Sequence, residues 1–214
     1  NESAKLKKRL DSAVKKIMTA GPWSVTYTET PVPTKNKHDY FSESRYWWPD
    51  PKNPNGPYIR KDGEVNPDRI DAHRIAIEQM SNASLLLSMY GYLYNDKAAS
   101  ERAVKIIYTW FLDPATKMNP NMIYAQSIRG RNVTRGTGIL DSRSFYKVLE
   151  GVNFLKKSGA FSTVIDAGLK KWFGEFQSWL ITSKNGIDEK YSGNNHSTWF
   201  AVQLGAIAQY LRDE

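Results

Sequence analysis

The residues best suited to proton transfer lie in the run Gly193-Asn194-Asn195-His196-Ser197-Thr198-Trp199. A polar turn there sets an imidazole just before, or within, the first turn of a helix. The positive end of a helix dipole opposes formation of an imidazolium, so the position predicts a neutral His196 able to accept a proton near neutral pH. Asn195 beside it offers an amide that can donate to a carboxylate without adding charge. The same letters also read as an ordinary helix start, with Asn194, Asn195 and Ser197 capping and His196 packed at the edge.

Two further stretches hold groups that recognise rather than react. Tyr46-Trp47-Trp48-Pro49-Asp50-Pro51 places consecutive indoles between prolines, either as stacking faces for flat ligands or as anchors that pin a loop to the body. Asn119, Asn121, Tyr124 and Gln126, followed by Arg129, Arg131 and Arg135, bring amides, a phenol and guanidinium groups into one polar segment suited to carboxylates and hydroxyls. His73 falls on an apolar helical stripe and reads as a hydrogen-bonded core or edge residue, and His38 sits in a loop. The three histidines lack the one-turn spacing of a metal pair, and there is no phosphate-binding glycine loop or serine elbow.

These groups are carried by a chain of 214 residues with 40% hydrophobic and 24% charged content, enough for one substantial domain over 1–214. The absence of cysteine excludes disulfides, thiolate metal sites and a cysteine nucleophile. No apolar run reaches the ~18 residues of a membrane span, and Asn1-Glu2-Ser3 does not open a signal sequence, so an exported protein would have had one removed. A formal charge of +8 favours a polyanionic partner. Nucleic acid is disfavoured, because the arginine cluster lies in one loop and not along a helix face interleaved with aromatics.

Periodicity predicts helices over 4–18, 67–94, 95–111, about 141–158, 162–182 and from 197 onward. Asn95-Asp96 caps the third, Asp141 or Ser142 the fourth, and Asn185-Gly186 closes the fifth. The second and third helices form one hairpin, the fourth and fifth another. Residues 23–68, rich in proline yet also in aromatics, read as an ordered lid or wall, and 114–140 as irregular. The sum is an all-α chain, an incomplete α/α toroid of helical hairpins with long ordered loops. Arg212-Asp213-Glu214 puts acids where a helix end prefers cations, so the chain reads as cut inside a helical array.

Tyr46 to Pro51, the run Thr116-Lys117-Met118-Asn119-Pro120-Asn121 through Gln126, Arg135-Gly136-Thr137-Gly138-Ile139-Leu140-Asp141-Ser142-Arg143, and Asn194-Asn195-His196 together resemble the alginate lyase family. The resemblance implies a toroid with a deep cleft or tunnel, as in polysaccharide lyase families 5 and 38, and a periplasmic or secreted enzyme without cofactor or metal. It implies β-elimination on alginate or a related polyuronate such as glucuronan. Asn195 and His196 match the pair that neutralises the uronate carboxylate and loosens the C5 proton. Tyr46, Trp47, Trp48, Asn119, Asn121, Tyr124, Gln126 and Arg135 are the expected sugar-binding residues. The family's catalytic Tyr and neutralising Arg lie downstream of the Asn-His pair, beyond this sequence. A non-catalytic acidic-polysaccharide binder would use the same groove without needing His196.

Overall fold

The computed structural model describes residues 2–212; Asn1, Asp213 and Glu214, and with them the expectation about the acidic C-terminus, lie outside the described residues. Among these residues the chain is mostly helical, with seven α-helices and two small strand pairs. The helices are α1 (Glu2–Thr19), α2 (Ala72–Tyr94), α3 (Lys97–Phe111), α4 (Phe145–Lys157), α5 (Thr163–Thr182), α6 (Lys184–Lys190) and α7 (Asn195–Arg212). The strands are β1 (Phe41–Glu43), β2 (Trp47–Trp48), β3 (Ile59–Arg60) and β4 (Tyr124–Ser127), and a 3-10 helix spans Gly136–Ser144.

Several boundaries follow the expected caps. Asp96 accepts from Ala99 N at the start of α3, and Ser162 from Ile165 N at the start of α5. Others differ. Helix α2 opens at Ala72 and not near Pro67, because Asn66 accepts from Asp68 N and holds the chain in a turn. Helix α4 opens at Phe145, since the side chains of Asp141 and Ser142 are engaged elsewhere: Asp141 accepts from Tyr40, Ser42 and Gln126, and Ser142 donates to Gln203 Oε1 at 2.7 Å. Asn185-Gly186 opens α6 instead of closing α5.

The core is built where α2, α3, α4, α5 and α7 meet. Phe111, Phe145, Trp172, Phe173 and Phe176 form a cluster of ring contacts at 4.7–5.9 Å. Burying rings of this size stabilises the fold by about 1.5–3 kcal/mol each. Helices α2 and α3 pack as the expected hairpin. The second hairpin is looser than expected: the α4 backbone lies against α2 and α7, the α5 backbone against α7, and α4 meets α5 through the Phe145 ring and a Lys156–Asp166 ion pair at 3.2 Å.

Two-stranded pairing is a correction to a purely helical reading. β1 pairs with β4 in parallel, Phe41 opposite Tyr124, and β2 pairs with β3 antiparallel, Trp47 opposite Arg60. Through these pairs the segment 23–68 is ordered by long-range bonds. Glu43 is its clasp: it accepts two bonds from Arg129 at 2.7 and 2.8 Å and one from Ile70 N at 2.8 Å. Such a two-pronged ion pair fixes orientation as well as distance.

Candidate active site

The site begins at the junction of α5, α6 and α7. Ser183 is extended and caps α6 by accepting from Gly186 N at 3.0 Å. A side chain at Gly186 would collide with the carbonyl of Leu180, so glycine permits the sharp reversal out of α5. This reversal turns α6 so that Glu189 is buried, with 1% of its surface exposed. Seven residues on, the His196 side chain keeps 21% exposure, and its Nδ1 lies 2.7 Å from Glu189 Oε1.

An ionised carboxylate only accepts, so Nδ1 of His196 carries the proton and donates to Glu189; Nε2 is left as the basic nitrogen. Burial pushes the Glu189 carboxyl above its ordinary value, while the bond from His196 and the charges of His196 and Arg135 pull it back. Glu189 Oε2 is buried and without a hydrogen-bond partner among the described residues. The capping reading also holds for its own part of the motif. Asn194 Oδ1 accepts from His196 N at 2.8 Å, and Ser197 Oγ donates to Asn194 O at 2.8 Å. Asn195, the residue before it, is exposed.

Arg135 comes to the same neighbourhood from the other side. Its Nη1 donates to Ser44 Oγ at 3.0 Å and Gln126 O at 3.4 Å, and its guanidinium lies 5.9 Å from the Trp47 ring. Partial burial lowers its pKa from the usual guanidinium value, nearby Arg60 acts in the same direction, and Glu189 opposes both. What brings Arg135 and Glu189 close is Gly136. A Cβ there would stand 2.6 Å from Asn185 O and 2.9 Å from Glu189 N, so the 3-10 helix lies directly on α6 because this residue has no side chain.

Trp47 has a second cation at its ring, the Arg131 guanidinium at 4.8 Å. Trp48 has Lys61 Nζ at 5.1 Å and donates from Nε1 to Glu64 O at 2.9 Å, so both stacking and anchoring describe this pair. Tyr46 is exposed. The amides of the third stretch are engaged by the protein, one across to the 23–68 segment and one within its own loop. Asn119 Nδ2 donates to Asp39 at 2.7 Å, and Asn121 Oδ1 accepts from Ile123 N at 3.2 Å.

Gln126 has a left-handed backbone, φ 51°, and donates from Nε2 to Asp141 Oδ1 at 2.9 Å. Its side chain is therefore an anchor, and its carbonyl is what serves Arg135. Asp141 itself is fully buried, accepting from Tyr40, Ser42 and Gln126; burial outweighs those bonds and raises its carboxyl above the usual range. On the opposite face of β1 and β4, Tyr124 lines an apolar cavity of about 580 Å³ together with Phe41, Ile70, Ile128 and Val133. His196 and Arg135 do not line it.

His73 is buried, its Nδ1 accepting from Phe41 N at 3.0 Å and burial lowering its pKa, as its apolar stripe predicts. His38 is bonded to Lys117 O at 2.7 Å on the surface. Among the described residues, no three His, Cys, Asp or Glu side chains gather as metal ligands, and no helix is long and apolar enough to cross a membrane. The residue that sequence reasoning missed is Glu189. Its only signal is an acid seven positions before a histidine that would need an orienting carboxylate.

The alginate lyase family model matches residues 24–214. This chain belongs to the alginate lyase family. A crystal structure of an alginate lyase from Bacteroides ovatus superposes with a TM-score of 0.89 at 37% sequence identity. The match covers 96% of this chain and 55% of that one, so the chain spans about half the length of its solved relative. No curated protein sequence matches. Within the family chain, His196 at the start of α7 is bonded to Glu189 of α6, and the Arg135 guanidinium lies near enough to Glu189 for the two charges to act on each other.

Proposed function

We propose that this chain is the part of a polysaccharide lyase that carries the proton-abstracting histidine, acting on alginate or a related polyuronate by β-elimination. The observation that carries the reading is the His196 ring, partly exposed and held at Nδ1 by a buried carboxylate 2.7 Å away. Membership of the alginate lyase family supports the substrate class.

In β-elimination the C5 proton is removed, the electron pair forms the C4–C5 double bond, and the C4–O4 bond breaks with O4 taking a proton. The C5 proton is acidic only if the neighbouring carboxylate's charge is neutralised. In this reading Asn195 donates to that carboxylate, and Nε2 of His196 takes the proton. Glu189 stabilises the imidazolium that results and keeps the ring in one tautomer. Preorganised donors of this kind contribute roughly 10²- to 10³-fold each where their effect has been measured by removal. Arg135, fixed by Ser44 and Gln126 and backed by Trp47, supplies positive charge for a uronate next to the one being cleaved.

The helical packing and the two loops suit one wall of an α/α toroid whose groove the start of α7 would line. Export to the periplasm or beyond fits a polymer too large to enter a cell. The reading is tested by incubating the intact protein with alginate and glucuronan and analysing the products. Unsaturated uronate ends, with their ultraviolet absorbance and the mass of an eliminated rather than hydrated product, are expected. Products that have gained water, or polymers left intact, contradict it.

A further inference from the structure

Helix α1 lies before the stretch that matches the family, and it is the most basic element of the chain. Six of its residues are Lys or Arg against Glu2 and Asp11, half of the chain's formal excess of +8. Asp11 is taken by Lys7 Nζ at 2.9 Å and by Tyr90 Oη at 2.9 Å. The remaining cations are exposed and have no ion-pair partner among the described residues. Lys5, Lys8, Arg9 and Lys16, with Ser12 and Ala13 between them, line one shallow groove. Lys5, Arg9 and Lys16 stand four, seven and eleven residues apart, in line on one helix face with Lys8 at its edge beside Arg9, spread over about 16 Å at a 1.5 Å rise.

We propose that this face is a second polyanion site, binding a stretch of acidic polysaccharide away from the residues that cleave it. The proposal rests on the lyase reading for the identity of the polymer. Along the axis the cations fall at three levels, Lys5, then Lys8 with Arg9, then Lys16, about 5 Å and about 11 Å apart at a 1.5 Å rise, close to one and two helical turns, which suits a chain carrying one carboxylate on every sugar ring. Helix α1 packs on α2 and α3, whereas α7, with His196, packs on α4, α5 and α6, so the two sites are built on different elements.

Two rival partners fit less well. Most of the apolar stripe of α1 is already spent, with Val14 buried and Ile17 and Met18 packed on the core; Leu6 is exposed, but one leucine is too little apolar surface to seat the helix in a lipid bilayer. The helix has no aromatic residue, so it offers no stacking surface to bases. A polyuronate needs only charge and hydroxyl partners, and a linked second contact raises the occupancy of the first without altering it.

The test compares the intact protein with a variant carrying Lys5→Gln, Lys8→Gln, Arg9→Gln and Lys16→Gln, substitutions that preserve helix propensity. Turnover of a short oligouronate should be unchanged, while KM for long polymer rises by on the order of tenfold with kcat retained. Retardation of the protein by polyuronate in native gels should weaken in the variant and depend less steeply on salt. Equal KM and equal retardation overturn the proposal. If neither protein turns over any uronate, the lyase reading fails, and retardation alone decides: its loss in the variant upholds a polyanion site on α1. Wild-type binding to phosphatidylglycerol vesicles or to DNA, lost in the variant and without polyuronate retardation, assigns the face to another partner and overturns it.

Discussion

Replacing Glu189 by Gln isolates the contribution of the buried carboxylate, because the amide keeps the volume and still offers an oxygen to His196 Nδ1. What disappears is the negative charge 2.7 Å from the ring in a setting where Glu189 is 1% exposed. A hydrogen bond to a charged group contributes about 1.5–3 kcal/mol. If that is felt chiefly when the ring becomes imidazolium, kcat falls roughly 10- to 150-fold, at about 1.4 kcal/mol per decade. The assay is the rate of unsaturated-uronate absorbance at saturating polymer, with a thermal melt alongside to establish that the protein is folded. A KM that stays near wild type is expected, since Glu189 touches the ring and not the sugar. A folded Glu189→Gln protein with a wild-type kcat would refute the idea that the carboxylate stabilises the reacting imidazole.

Gly136→Ala should disturb the site from beneath, because its new Cβ meets the backbone of Asn185 and Glu189. We expect about 1–3 kcal/mol of destabilisation, a melting temperature lower by roughly 2–4 °C per kcal/mol, and a drop in kcat as Glu189 shifts. Asp141→Asn puts a donor among the donors of Tyr40, Ser42 and Gln126 and should cost about 1–3 kcal/mol in denaturant melts. Burial raises the folded pKa of Asp141 above its unfolded value, so the stability it contributes is fully present below the unfolded pKa of about 3.9 and declines as pH rises through the folded one. The gap between wild type and Asp141→Asn should therefore narrow as pH is raised. Trp47→Ala removes the ring that both Arg131 and Arg135 approach; KM for polymer should rise roughly two- to fivefold, matching about 0.5–1 kcal/mol for an exposed cation–π contact, with kcat little changed.

Local signals carried the helices well. Apolar spacing located α1, α3, α5 and α7 to within a few residues, and the Asp96 and Ser162 caps act as their positions suggest. The failures share a cause: partners far apart in sequence. The clasp of Glu43 joins residues 27 and 86 positions away, and no local pattern announces it. Asp141 looks like a helix cap until Tyr40 and Ser42, about a hundred residues earlier, are brought to it. At the site, the polar turn, imidazole and helix start around His196 are contiguous in the sequence, and α7 opens there at Asn195. Glu189 was not legible, because Asn185-Gly186 reads as a helix end and so hides the short helix that buries it. The amides of Asn119, Asn121 and Gln126 looked available in the sequence; the folded loop engages each of them.

Substituting His196 by Ala in the intact protein, and following unsaturated uronate released from alginate and glucuronan, bears on the proposed chemistry without intermediaries. A melt like that of the parent with product formation reduced to background is the predicted result. Release of unsaturated product at the parent's rate would mean that the imidazole takes no part in the elimination.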